Sequence, residues 1–221
     1  MMKTDDFIEQ LAQGVTPVAR FPRPWRRAAI WLVGATVYLG VLAMMMTSSA
    51  DVSRNNNVWR FLLPQIAAIA VSGAAAAAAF ASIVPGASSR VLFWPSVALV
   101  VWLGILLVGS VQDWQTTRAA GLVPRREWLC VAMIGLGGAL PAWAMARMLR
   151  DGAPLTPRVT SALVALAAAG LANVGACVSH PHPSSAVVLL WHGATVAALV
   201  AASAWAGQHL FSWERLRHLS R

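Results

Sequence analysis

"VTSALVALAAAGLANVGACVSHPHPSSAVVLLWHGATVAALVAASAWAGQHLFSW", residues 159–213, contains no Asp, Glu, Lys or Arg. A helix crosses a bilayer with about 20 apolar residues, at about 1.5 Å of rise each. One helix over this whole run would overshoot by about a factor of two. Pro181 and Pro183 stand near its middle, and proline removes a backbone donor and clashes with the preceding turn. The run therefore reads as two spans, Val159–Val178 and Ala186–Gly207, joined by "SHPHPSS".

The same reading extends outward. Residues 61–89, 91–112 and 128–146 are also free of charge. Breakers such as "TSSADVSRNNN", "PGASS" and "DGAPLTP" separate them. Four further spans follow: Ala28–Met46, Trp59–Val84, Val91–Val111 and Glu127–Met148. The expected fold class is all-α, a polytopic membrane protein built as a six-helix transmembrane bundle. Composition agrees, since the 221 residues are 58% hydrophobic and 11% charged, against about 25% charged in soluble domains. Pro64, Pro95 and Pro141 are expected to kink or start helices. The stretches "SGAAAAAAFAS", "GLGGALPAWA" and "AAAGLANVGA" suit close helix packing.

The net charge of +9 does not point to nucleic acid, because the basic residues lie between the apolar runs, as topology determinants do. With the N-terminus inside, twelve Lys and Arg fall on the cytoplasmic side and five outside. That predicts both termini in the cytoplasm; if the enclosing membrane is a bacterial inner membrane, the outer side faces an oxidising periplasm. "VPRRE" at 123–127 opposes the trend. The residues before the first apolar run include Asp5, Asp6 and Glu9, and no A-x-A site follows, so they do not read as a cleavable signal. Three segments result: a cytoplasmic partner-binding segment and basic stalk at 1–27, the membrane domain at 28–213, and a basic tail at 214–221.

Ionisable groups within a membrane mark function by default. Here the only strongly polar side chains away from the span ends are Gln65, Asn173 and His192. No acidic residue is placed for a proton relay, and no interrupted helix recurs in two halves. This argues against a pump, a transporter or a respiratory subunit. His192 is expected to hydrogen-bond a neighbouring helix.

The two cysteines fall at one level. Cys130 opens the fourth span and Cys177 closes the fifth, so both lie near the outer surface, with His180 and His182 just beyond. Three readings stand side by side: small buried hydrophobes, a reversible thiol pair, or a thiolate–imidazole metal site drawing on His180 and His182. No cofactor is expected, apart from a thiophilic metal bound as a signal. No general base or oxyanion donors accompany the cysteines, so a hydrolase has no support.

"MMKTDDFIEQLAQGVTPVARFPRPWRR" precedes the first span. Thr4 or Asp6 is placed to cap a short helix, and Asp6 with Glu9 has capping-box spacing. Phe7, Ile8, Leu11 and Val15 share one face. The helix should end by Pro17. Helices this short are marginal alone and need a surface to dock on; the alternative is a disordered tail with a chance apolar stripe. An acidic polar face suits a protein groove better than anionic lipid.

These features resemble the NrsF-like family, negative regulators of sigma F. The likeness rests on "MKTDDFIEQLAQGVTPVARFPRP" and on the C-terminal half from "LCVAMIGLGGALPAWAMARMLRDGAPLTP" onward. Its landmarks are Cys130, the 147–157 loop, Cys177, Trp191 and Trp213. Two positions depart from the family pattern: Ala176 stands where a His precedes the second Cys, and His192 stands where a Tyr follows the Trp. The resemblance implies a six-span membrane anti-sigma factor, not an enzyme, whose partner is an extracytoplasmic-function (ECF) sigma factor. It implies partner binding through Asp5, Phe7, Ile8, Leu11 and Val15, and sensing by Cys130 and Cys177. It implies stress-linked control of transcription without direct nucleic-acid contact. A small membrane thiol oxidoreductase and a structural membrane subunit are the alternative functions.

Overall fold

The computed structural model describes residues 4–13, 23–46, 58–84, 86, 89–117, 127–150, 152, 156–179 and 184–210. Among these the chain is helical, with no strand. Helix α1 is Thr4–Gln13 and α2 is Pro24–Met46. Helix α3, Val58–Ala81, is followed by a 3-10 turn at Ser89–Leu92 and by α4, Phe93–Thr117. The fourth span joins α5, Glu127–Ala132, through a π-helical segment, Met133–Gly137, to α6, Gly138–Leu149. Helix α7 is Pro157–Ser179. The sixth span joins α8, Ser185–Val187, through a second π-helical segment, Val188–His192, to α9, Gly193–Leu210.

Six helices among the described residues are long and apolar enough to cross a membrane: Pro24–Met46, Val58–Ala81, Arg90–Gln115, Cys130–Leu149, Pro157–Ser179 and Ser185–Gly207. They coincide with the six expected spans to within a few residues. The N-terminal helix differs in detail. It begins at Thr4, so Asp6 sits in its first turn instead of capping it, where its charge still opposes the helix dipole.

Three prolines are built into the spans. Pro95 lies in the first turn of α4, while Pro64 and Pro141 lie within α3 and α6. Pro141 has no N–H to offer the carbonyl of Gly137, and the first π-helical segment ends at that residue.

Helix α7 is the hub. It packs against α9, α3, α2 and α6. Of its most apolar stretch 78% is buried, against 17–39% for the other spans. Its composition explains this. Lipid tails are as apolar as leucine, so membrane helices associate where small residues let backbones approach. A β-carbon on Gly170 would stand 2.8 Å from Ser72 Oγ, and one on Gly207 would stand 2.3 Å from Ser161 Oγ. The buried set is rich in alanine: Ala75, Ala76, Ala79, Ala167 and Ala172 are all inaccessible. Bulky side chains such as Ile30, Val33, Val37, Val108 and Trp205 face outward. Small-inside, large-outside is what a lipid solvent selects.

Polar ties close both ends of the bundle. At one end Arg27 donates to the Met148 carbonyl and lies 5.1 Å from the Phe80 ring centroid. One turn further, Trp31 Nε1 donates to the Pro141 carbonyl at 2.9 Å. Ser82 and Thr160 hydroxyls pair at 2.8 Å. At the other end Arg60 meets Asp113 at 3.4 Å, and Asp113 accepts the Ser185 backbone N–H at 2.7 Å. Ser184, the last residue of the proline-rich loop, caps α8 by accepting from Val187 N–H.

Candidate functional site

Cys177 lies in the last turn of α7, with Asn173 and His192 beside it. Asn173 is one turn earlier on the same helix, with Oδ1 4.0 Å from Cys177 Sγ. His192 reaches across from the end of the second π-helical segment. Its Nδ1 lies 2.7 Å from Asn173 Oδ1 and 3.7 Å from Cys177 Sγ. An amide oxygen only accepts, so Nδ1 carries the proton and donates to Asn173. Gln65 is buried on α3, one turn before Ala68, which packs in the same apolar cluster as Cys177.

Cys130 lies in α5. Helix α5 packs on α7 and on the second π-helical segment. The two cysteines expected at one level thus lie on two spans that pack on one another. Both are unlinked and almost fully buried, at 2% and 1% exposure.

The apolar frame is equally specific. Cys177 shares a cluster with Ala68, Val71, Trp102, Leu106 and Val188. Within these low-dielectric surroundings Gln65 Oε1 and Trp102 Nε1 are buried without a hydrogen-bond partner. Unmatched buried groups are costly and uncommon. The π-helical turns at 133–137 and 188–192 lie on the two spans that carry Cys130 and His192, and such turns recur at functional sites.

Sequence reasoning named Gln65, Asn173 and His192 as the polar exceptions but did not join Asn173 and His192 to Cys177. The signal was present: three polar side chains in an otherwise apolar interior must find one another or go unsatisfied. The expected hydrogen bond from His192 to a neighbouring helix is the one to Asn173.

The other expected site residues are placed unevenly. His180, His182 and Val15 lie outside the described residues. Among the described residues no group of three or more His, Cys, Asp or Glu could hold a metal ion. Asp5, Phe7, Ile8 and Leu11 belong to α1. Ile8 is exposed, while the side chains of Asp5, Phe7 and Leu11 are outside the described set.

No curated protein and no solved structure matches the chain. Residues 11–213 match one protein family, described as negative regulator of sigma F. The match runs from within α1 through all six spans and includes both cysteines and their polar neighbours. It covers most of the chain, and on that ground this protein belongs to the NrsF family, negative regulators of sigma F.

Proposed function

We propose that this chain is an anti-sigma factor of the inner membrane that holds an ECF sigma factor through α1. Both termini lie in the cytoplasm, and partner binding falls to residues 1–27 with Asp5, Phe7, Ile8, Leu11 and Val15 as contacts. Release follows a redox or thiophilic-metal signal met by Cys130 and Cys177 on the periplasmic side. The family is one of regulators, and the chain is a regulator, not an enzyme.

The observation that carries this reading is the pairing of an amphipathic helix outside the six spans with a polar cysteine cluster inside them. The first is a docking element: Ile8 is exposed on α1, and a short helix gains its stability from what it docks on. The second is a chemical input in a membrane that otherwise avoids polarity.

The ties between spans supply a route from one to the other. Cys130 opens the fourth span, and that span's far end holds α2 through Trp31 and Arg27. Helix α2 continues from the stalk that carries α1. Moving a two-state element from 1:99 to 99:1 takes about 5.5 kcal/mol of differential stabilisation. A disulfide contributes about 2–4 kcal/mol, and soft-metal ligation can supply more.

The test is co-purification in mild detergent with the neighbouring sigma factor, comparing the full chain with residues 23–221. Retention by the full chain alone supports the reading. Equal retention, or none by either, removes its central claim.

A further inference from the structure

Two neighbouring spans end in arginines that no described carboxylate neutralises. Helices α2 and α6 are held side by side by the bonds from Arg27 and Trp31 to the carbonyls of Met148 and Pro141. These bonds set the first turn of α2 against the last turn of α6. Arg23 and Arg26 stand at the start of α2, and Arg147 and Arg150 at the end of α6, all of them exposed. No carboxylate among the described residues pairs with these side chains. At the opposite end of the bundle Arg60 has Asp113.

Electrostatics make this arrangement costly for the protein alone. The N-terminus of a helix carries about half a positive elementary charge. Helix α2 has no acidic residue in its first turn and places Arg26 and Arg27 there, just after Arg23. Like charges three and four residues apart repel one another, and a bound anion offsets both terms. Arg27 is committed elsewhere, to the Met148 carbonyl and the Phe80 ring. Arg23, Arg26, Arg147 and Arg150 keep their guanidinium groups at the surface.

The apolar residues beside them give the shape of the anion. On α6, Leu140, Trp143, Arg147 and Arg150 follow one another at helical spacing and share one exposed face. On α2, Arg26 is followed at the same spacing by Ile30, Val33 and Val37, all exposed. Each stripe runs from aliphatic to cationic side chains, on α6 through a tryptophan. That is the order of a phospholipid: acyl chain, glycerol backbone, phosphate. Tryptophan is enriched at the middle level, and the planar fork of arginine suits phosphate.

We propose that the junction of α2 and α6 is a binding site for an anionic phospholipid, its phosphate taken by Arg26 on one helix and by Arg147 and Arg150 on the other. Arg23 adds to the charge, and Trp143 stands at the glycerol level. The lipid supplies the negative charge that no described carboxylate brings to these arginines. It also ties the first span to the fourth from the outside, next to the Arg27 and Trp31 bonds. The inference rests on charge, exposure and spacing, and is independent of the anti-sigma reading.

The experiment uses the full chain in dodecyl maltoside with dioleoylphosphatidylglycerol as the probe. Dioleoylphosphatidylcholine, with the same chains and no net charge, is the control. Native mass spectrometry counts bound lipid, and circular dichroism follows melting across the titration. Phosphatidylglycerol should bind and raise the melting temperature where phosphatidylcholine does not. Arg26→Gln should weaken the apparent affinity by about fivefold, and the double variant Arg147→Gln with Arg150→Gln by about 25-fold. Arg147→Lys with Arg150→Lys keeps the charge and should recover most of that loss. Arg90→Gln, in the 3-10 turn before α4, should have little effect.

An equal response to both lipids, or equal weakening by Arg90→Gln, would reduce the arginines to general surface charge and overturn the proposal. So would a response that glycerol 3-phosphate reproduces at the same concentration, which would make the ligand a free anion. A phosphatidylglycerol response that appears only in Asp6→Asn with Glu9→Gln would put α1 on these arginines in place of lipid. The readout is lipid binding, so the co-purification stands or fails separately.

Discussion

His192 Nδ1 lies 2.7 Å from Asn173 Oδ1, and this one hydrogen bond joins the fifth and sixth spans inside the membrane. Both side chains are inaccessible, at 0% and 1% exposure. The bond therefore combines a structural and a chemical duty: it satisfies two buried polar groups and fixes the imidazole beside Cys177.

Removing one partner strands the other. Asn173→Leu or His192→Leu should each destabilise the bundle by about 1–3 kcal/mol. The double variant should lose less than the sum of the two, because no orphan is left behind. Thermal unfolding in detergent, followed by circular dichroism, measures the difference, and strict additivity would show that the two side chains act independently.

Close approach at the hub gives a second expectation. A β-carbon on Gly207 would meet Ser161 Oγ at 2.3 Å and the Pro157 carbonyl at 2.8 Å. Gly207→Ala should cost about 1–3 kcal/mol through overpacking. Gly40→Ala, with nothing within 4 Å, should be neutral or slightly stabilising through helix propensity. The same melting experiment compares them.

The tie between α2 and the fourth span should carry the signal. Trp31→Phe keeps the ring's bulk while deleting the Nε1 donor to the Pro141 carbonyl, at a stability cost of about 1 kcal/mol. Sigma-factor retention should survive in the resting state, and release upon oxidation should weaken. Pull-down before and after oxidant treatment reads both. Unaltered release would place the transmission route elsewhere.

The N-terminal helix should bind by its apolar face. Burial of a Phe or Leu side chain contributes about 1.5–3 kcal/mol, so Phe7→Ala and Leu11→Ala should each weaken sigma-factor affinity by about tenfold or more. The melting of the membrane domain should not change. Wild-type affinity in the double variant would refute the assignment.

Oxidation should link Cys130 to Cys177 within one chain. Both are buried and unlinked in the structure, and disulfide formation requires a Cα separation of about 4.4–6.8 Å. Peptide mapping without reductant should show the cross-link in the wild type and not in either Cys→Ser variant. Cross-links between chains instead would move the sensor to an interface.

Much of this protein was legible in its sequence because a bilayer imposes simple rules. The charge-free run at 159–213 had to be two spans, since no helix so long fits the hydrocarbon and two prolines interrupt it. Cys130 and Cys177 had to share a level, because span length and alternating direction set depth. The alanine- and glycine-rich stretch at 165–176 marked a packing face, although nothing in its pattern said that α2, α3, α6 and α9 would all pack on α7.

Depth is a one-dimensional property, and the linear order of apolar and polar residues was enough to determine it. Azimuth is not. Whether Gln65, Asn173 and His192 faced one another, or three different neighbours, depended on the rotation and order of four helices around α7. Contacts between residues far apart in the chain determine those rotations: Gly170 against Ser72, Gly207 against Ser161, Trp31 on the Pro141 carbonyl. Only the tertiary structure decided that Asn173 and His192 meet beside the Cys177 sulfur. The cause is that each would otherwise be buried without a partner, while the small residues of α7 let the helices that carry them come close enough to pair.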